Sequence, residues 1–403
     1  MNVESLFVVR VFPSYIIDST PLEPGIVMPT FLCLYSIFLL AVNDQVFPSV
    51  LTQIGGSAAQ QGLFLTSLFL LLPLASVFAG LLADRIGKKT LLIIGTFFLA
   101  FPFAASAFLE NYWLRLMVVL SFGIGLGVVE GQASALLTDV HPGKERSMMN
   151  LSQFFFCAGA AGGPFFISLA YKLIPGLELS SLLLAVALFT FTAMMGFFFL
   201  KDGRYGMVTD DPRRHTVILR DRHGRLLLLA IFFYVAPEMG TAGWLAKYTE
   251  TALHVQRALA PLSLTLFWSG LGSSRMLVGL FFHRMHDRRL LIISLGMSLI
   301  FQTAAFLVRT PALAFLFFFL FGFGMGTIWP TLVSMAGSTY RESTGSAVGF
   351  MLAAGAAAVP LIHPLIGLLS QEEFLGLRAT LLCLTSFTAL NLSIVSAMRK
   401  RER

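Results

Sequence analysis

Charge is scarce in this chain. Asp, Glu, Lys and Arg make up 12% of its 403 residues, about half the ~25% of an ordinary soluble domain. A soluble domain of this length has to cover its surface with polar groups, and too few are present, so that class is excluded. Cysteine is also rare. Cys33, Cys157 and Cys383 all sit in apolar stretches with no metal-like spacing, which leaves neither a disulfide framework nor a zinc site to expect. The chain has no Gly-x-x-x-x-Gly-Lys-Ser/Thr loop, no His-Glu-x-x-His, no Cys-x-x-Cys and no Gly-x-Ser-x-Gly. It therefore carries no sequence sign of ATP hydrolysis, of catalytic or metal-ligating residues, or of a cofactor. No stretch is long and polar enough to form an extra soluble domain.

What is abundant is apolar. Hydrophobic residues make up 56%, Phe alone occurs 40 times, and the mean hydropathy is +0.80. The bilayer is the solvent that suits this composition. A span needs roughly 20 mostly apolar residues, because in lipid a helix must satisfy its own backbone. Apolar runs between charged or Pro/Gly breaks predict twelve helices, near 28–49, 61–83, 89–109, 112–138, 148–172, 178–200, 226–250, 258–282, 289–308, 312–336, 344–369 and 374–398. With the N-terminus placed inside, 21 of the 28 Lys and Arg fall on that side and six on the other, with Arg275 left within a span. The positive-inside rule puts both termini in the cytoplasm of an inner-membrane protein. This asymmetry also accounts for the net charge of +7 without a nucleic-acid partner. Residues 1–27 hold Arg10, Asp18, Glu23 and no long apolar core. They make a poor signal peptide and read as a solvated tail.

The longest hydrophilic stretch, 201–225, carries seven basic residues and Asp-Pro and His-Gly turn signals. It reads as a linker between two six-helix halves. The expected division is a cytoplasmic tail 1–27, a first bundle 28–200, a cytoplasmic linker 201–225, a second bundle 226–398 and a tail 399–403. The halves are weakly self-similar. Gly80-Leu-Leu-Ala-Asp84-Arg85-Ile-Gly87-Lys88-Lys89 aligns with Gly279-Leu-Phe-Phe-His283-Arg284-Met-His286-Asp287-Arg288 at an offset of 199. The same offset aligns Gly123-x-Gly125-x-Gly127 with Gly322-x-Gly324-x-Gly326.

The segment Gly80-x-Leu82-Ala83-Asp84-Arg85-x-Gly87-Lys88-Lys89 resembles the loop motif between helices two and three of major-facilitator proteins. That resemblance, which covers 28–398, implies an all-α membrane protein of twelve transmembrane helices in two pseudo-symmetric six-helix bundles, with a solute site near the midplane between them. It implies that Gly80, Asp84, Arg85, Gly87 and Lys88 form a conformational latch, with Gly80 permitting close helix approach. Other segments resemble the fucose-permease branch of sugar–proton symporters: Asn43-Asp44, Gly127-Val-Val-Glu130-Gly-Gln132, Leu137-x-Asp139-x-His141-Pro142, Tyr234-Val-Ala-Pro-Glu238-Met-Gly-x-x-Gly-Trp244-Leu-x-x-Tyr248 and Gly324-Met-Gly326-x-Ile-Trp-Pro330.

Three carboxylates lie well inside spans: Asp44, Glu130 and Glu238. A charge at membrane depth costs at least ~2.5–3.5 kcal/mol, so such groups face a cavity, a partner or a proton path. At ~1.5 Å per residue, Asp44 and Glu130 fall about 7 Å to either side of the midplane. The resemblance implies proton coupling for Asp44 and Glu130, with the proton gradient as energy source. Glu238 is assigned a hydrogen bond to solute. Sugar sites combine polar side chains with aromatic faces, and the candidates at suitable depth are Asn43, Tyr35, Gln132, Gln153, Trp244, Tyr248, Trp268, Gln302 and Trp329, with Asn150 and His363 further possibilities. Arg275 could snorkel, pair with an acid or bind an anionic solute. The first expectation is proton-coupled uptake of a monosaccharide by a functional monomer. A proton-driven efflux antiporter is the second, since Gly159-x-x-x-Gly163-Pro164 resembles an exporter motif. A non-transporting receptor with the same fold is the third.

Overall fold

A computed structural model describes residues 24–200, 217–281, 285–340 and 344–398. The tail 1–23, the linker 201–216, His283, Arg284, Arg341 and the tail 399–403 lie outside the described residues, as does the side chain of Asp84. Eleven helices among the described residues are long and apolar enough to cross a membrane: α1 (Ile26–Ser49), α2 (Ala58–Ala83), α3 (Lys88–Ser106), α4 (Tyr112–Asp139), α5 (Ser147–Leu173), α6 (Leu179–Phe199), α7 (Arg222–Thr251), α9 (Asp287–Leu307), α10 (Pro311–Thr339), α11 (Ala347–Leu369) and α12 (Gly376–Ala397). Leu262–Phe281 supplies α8. A helix of 21 residues, as in α6, spans about 31 Å, matching the ~30 Å hydrocarbon core.

Polar residues set the boundaries. Ser57 and Gln60 form a capping box at the start of α2. The Asn111 side chain accepts from the backbone N–H groups of Trp113 and Leu114 at 2.9 and 3.2 Å to open α4. Gly87, at φ 82°, turns the chain between α2 and α3 in a conformation L side chains rarely adopt. One boundary departs from expectation. Asp221 caps α7 by accepting from His223 N–H, so α7 starts at Arg222 and Val217–Arg220 is already helical. The end of the 201–225 stretch is thus the polar first turn of a helix rather than linker.

Two helices break where the chemistry lies. α1 is interrupted between Asp44 and Val46, and α10 between Met325 and Ile328. In α10 the cause is Pro330, which has no N–H to give the carbonyl of Gly326.

The 199-residue offset holds in three dimensions. A methyl added at Gly123 or Gly127 would meet α2, at Leu68 O (3.1 Å) and Leu72 O (2.5 Å); one added at Gly322 or Gly326 would meet α8, at Phe267 O (2.0 Å) and Leu271 O (2.3 Å). The middle glycines turn the other way, Gly125 onto Leu99 N of α3 (2.6 Å) and Gly324 onto Ser298 N of α9 (2.8 Å). Each contact in one half has its counterpart 199 residues on. Lipid offers no hydrophobic drive for helices to associate, so this close backbone packing supplies the contact energy. The large apolar side chains left outside, Leu81 (66% exposed) and Phe199 (81%) among them, are suited to lipid.

Candidate functional site

Asp44 is the last residue of α1 before its interruption at Gln45. Its carboxylate is 4% exposed; Oδ2 accepts from Gln45 Nε2 at 2.7 Å, and Gln45 Oε1 accepts from Trp268 Nε1 of α8 at 2.9 Å. This chain of bonds joins the two halves. Asp44 Oδ1 has no hydrogen-bond partner, nor has Nδ1 of the buried His363 on α11. Both residues line one internal cavity of about 10 Å³, room for about a single water.

A second cluster lies between α5, α7, α8 and α10. Arg275 Nε donates to the Gly326 carbonyl at 3.0 Å, covering the acceptor that Pro330 leaves unpaired. Nη1 donates to Gln153 Oε1 at 3.2 Å and to Cys157 Sγ at 3.4 Å, both on α5. On α7, one turn apart, the Tyr234 hydroxyl donates to Glu238 Oε1; Glu238 is 7% exposed. The Asp44 cavity is lined from α7 by Met239, Ala242 and Gly243, directly after Glu238. The Glu130 side chain and the adjacent Gly131 are exposed although they stand roughly 13 Å from the Asp139 end of α4.

Access is one-sided. On the side away from the basic loops, bonds cross between the halves: Thr52 Oγ1 to Glu250 Oε2 (2.7 Å), Lys247 Nζ to Gln61 Oε1 (2.5 Å) and Ser168 Oγ to Ala258 O (2.5 Å). There α2 and α11 touch backbone to backbone. A methyl on Gly62 would stand 2.5 Å from His363 O, and one on Gly367 would stand 2.6 Å from Ala58 O. Toward the basic loops the contact between these two helices is slighter, and neither Gly80 nor Gly349 has anything within 4 Å of an added methyl.

Of the expected latch residues, Gly80 faces open space and Arg85 is exposed in this conformation, while the side chain of Asp84 lies outside the described residues. The ion pair at this position joins Lys88 to Asp139 at the end of α4, both side chains about 15% exposed. Asp139 stood in a quoted motif, but only the tertiary fold shows it as the partner.

Of the expected solute ligands, Gln153, Glu238 and Trp268 lie in these clusters. Gln132 is buried with Oε1 unpartnered, two residues from Glu130, and Trp329 is half-buried one turn beyond Gly326. Others belong to seams within a half. Asn43 exchanges hydrogen bonds with Thr190 of α6 at 2.9 and 3.0 Å. Tyr35 bonds Thr192 at 2.7 Å and stacks on Phe31. Gln302 accepts from Thr388 of α12 at 2.7 Å. Tyr248 packs edge-on against Phe306 and Phe318. Trp244 is fully buried, with Lys247 5.1 Å from its ring centre. Polarity and depth are the same for a seam and for a cavity, so the sequence does not give these side-chain directions; Trp244 Nε1 and Gln302 Nε2 still lack a hydrogen-bond partner. Gln45 and Tyr234 were missed, although one neighbours Asp44 and the other precedes Glu238 by one helical turn.

A multi-pass bundle of two repeated halves with buried acids is the build of a membrane transporter. Residues 30–396 match the Major Facilitator Superfamily, and the chain belongs to that family. A 4-hydroxybenzoate transporter of Pseudomonas aeruginosa is 30% identical over 173 residues, 42% of this chain and 38% of that one. The chain thus matches well under half the length of that relative. A putative glucose/galactose transporter of Helicobacter pylori is 23% identical over 282 residues, 66% and 69% of the two chains. Among solved structures, a bacterial homologue of the human lysosomal transporter Spinster, inward-facing and unoccupied, has a TM-score of 0.75 at 13% identity, covering 93% of this chain and 96% of that one. The E. coli fucose:proton symporter has a TM-score of 0.64 at 18% identity, covering 92% and 98%. At these identities the structures show the fold alone.

Proposed function

We propose that the chain is a proton-coupled symporter that brings a small hydroxylated solute, in the first instance a monosaccharide, across the inner membrane into the cytoplasm. The observation that carries this reading is the set of three interior carboxylates, with one oxygen of Asp44 left unpartnered beside a water-sized cavity. A buried carboxylate needs a proton, a water or a counter-charge. Asp44 at the closed end and Glu130 at the open end are spaced to take and release a proton as access alternates. Glu238, Gln132, Gln153, Trp268 and Trp329 would meet the solute. The basic loops face the cytoplasm, both termini lie there, and the conformation described is inward-facing, in keeping with the Spinster homologue. The two six-helix halves act as rocking bodies in a monomer, with Lys88–Asp139 and its neighbours holding the latch.

The test is external pH in lightly buffered, de-energised cells as monosaccharides are added, with Glu130→Gln alongside. Alkalinisation by one sugar, lost in the variant, supports symport. Acidification on solute exit under an imposed gradient would point instead to antiport. One observation favours a second solute class. The intramembrane cation Arg275 bonds Gln153 of the opposite half, and one of the relatives above is a transporter of an aromatic acid.

A further inference from the structure

Arg275 does more than its structural contact requires. The residue 199 positions earlier is Ser76, whose hydroxyl donates to the carbonyl of Gly127 at 3.3 Å, the counterpart of the Arg275–Gly326 bond. In the first half a hydroxyl suffices for this contact. In the second half the position holds a guanidinium, with a full positive charge and four further N–H donors. Its other partners, Gln153 and Cys157, are a neutral amide and a thiol. Arg275 is in neither of the ion pairs Lys88–Asp139 and Arg257–Glu250. Glu238 lies beyond ion-pair distance of it and takes the Tyr234 hydroxyl on Oε1. An intramembrane arginine held by a carbonyl, an amide and a thiol has its charge unmatched by a carboxylate, and such a residue marks a solute path by default. The side chain is half-buried, and Gln153 places the opposite half of the molecule against it.

We propose that Arg275, together with Gln153, binds a carboxylate on the transported solute. Planar guanidinium and carboxylate meet through two parallel, charge-assisted N–H···O bonds, a charge match a neutral sugar cannot offer. The solute is then a hydroxylated organic acid, with Gln132 and the Tyr234–Glu238 pair at hand for its hydroxyls. A sugar acid and a hydroxylated aromatic acid share this chemistry. The inference rests on the symport reading and narrows it: a proton entering with a monoanion makes the carried pair neutral.

The experiment uses purified protein in proteoliposomes under an imposed pH gradient, with two matched probe pairs: glucuronate with glucose, and 4-hydroxybenzoate with 4-hydroxybenzyl alcohol. Arg275→Ser reproduces the pattern of the first half and is expected to fold; Arg275→Lys keeps the charge without the fork. Melting temperature confirms folding of both. The expected result is uptake of one acid, which names the source, with its neutral partner carried at least roughly 10-fold less well. Arg275→Ser should raise the half-saturating concentration of that acid roughly 10-fold or more, and Arg275→Lys should fall between. Uptake of a neutral probe at an unchanged rate by folded Arg275→Ser overturns the anion site and leaves symport standing. Failure of both acids to stabilise the wild-type protein at millimolar concentration also overturns it. Acid uptake that ignores collapse of the pH gradient, while still depending on Arg275, leaves the anion site and overturns the coupling proposed above.

Discussion

Replacing Gly322 by Ala tests the packing that delivers Arg275 to its site. The added methyl would stand 2.0 Å from Phe267 O, where an unstrained C···O contact is about 3.3 Å. The neighbour is backbone in a rigid helix, so α8 and α10 must part by about 1 Å. Overpacking of this kind costs ~1–3 kcal/mol, and the opened seam loses dispersion along its length. The intrinsic helix gain of Gly→Ala, roughly 0.5–1 kcal/mol, offsets part of this. Gly296 in α9 is the control, since nothing lies within 4 Å of a methyl there; Gly296→Ala keeps only the gain and should stabilise. The sign therefore reverses between two identical substitutions. Gly270→Ala, at 2.0 Å from Phe319 O, should match Gly322→Ala, and Gly127→Ala (2.5 Å) and Gly123→Ala (3.0 Å) should rank below them. The assay is apparent melting temperature of detergent-purified protein, with loss of Arg275-dependent solute affinity as a second readout. A neutral or stabilising Gly322→Ala would refute the reasoning, as would a series that ignored the order of distances.

Three further outcomes are expected. Asp44→Asn keeps an oxygen for the Gln45 bond but cannot release a proton, so it should abolish gradient-driven accumulation while leaving solute counterflow; accumulation at the wild-type level would remove Asp44 from coupling. Exchanging the charges of the Lys88–Asp139 pair should restore transport lost in either Lys88→Asp or Asp139→Lys alone, with a coupling of about 1 kcal/mol for a pair this near the surface; additive losses in the double variant would show that the pair is incidental. Glu250→Ala combined with Lys247→Met removes two bonds that close the outer end, each contributing about 1 kcal/mol, and should shift the population toward outward-open roughly tenfold or more. Membrane-impermeant maleimide should then label Leu65→Cys, beside the Asp44 cavity, faster than in the parent, and an unchanged rate would count against the outer bonds as a gate.

The span pattern, the two halves and their offset of 199 were legible in the amino-acid order. Lipid demands long apolar helices, and duplicated halves keep their glycines where helices cross. The three carboxylates were legible too, because a charge in an apolar run stands out whatever it touches. What the order of residues leaves open is direction. Asn43 and Asp44 are neighbours, yet one is spent on a seam with Thr190 and the other faces the cavity, because consecutive residues of a helix point about 100° apart. Lys88 and Asp139 lie 51 positions apart, and only the fold makes them a pair. Arg275 reads from the sequence as a stray charge. Its counterpart Ser76 and the carbonyl freed by Pro330 become meaningful only once α8 and α10 cross. Hydropathy reports how much of a helix is buried in something apolar, whereas facing a neighbour or a solute depends on helix rotation, which contacts distant in sequence decide.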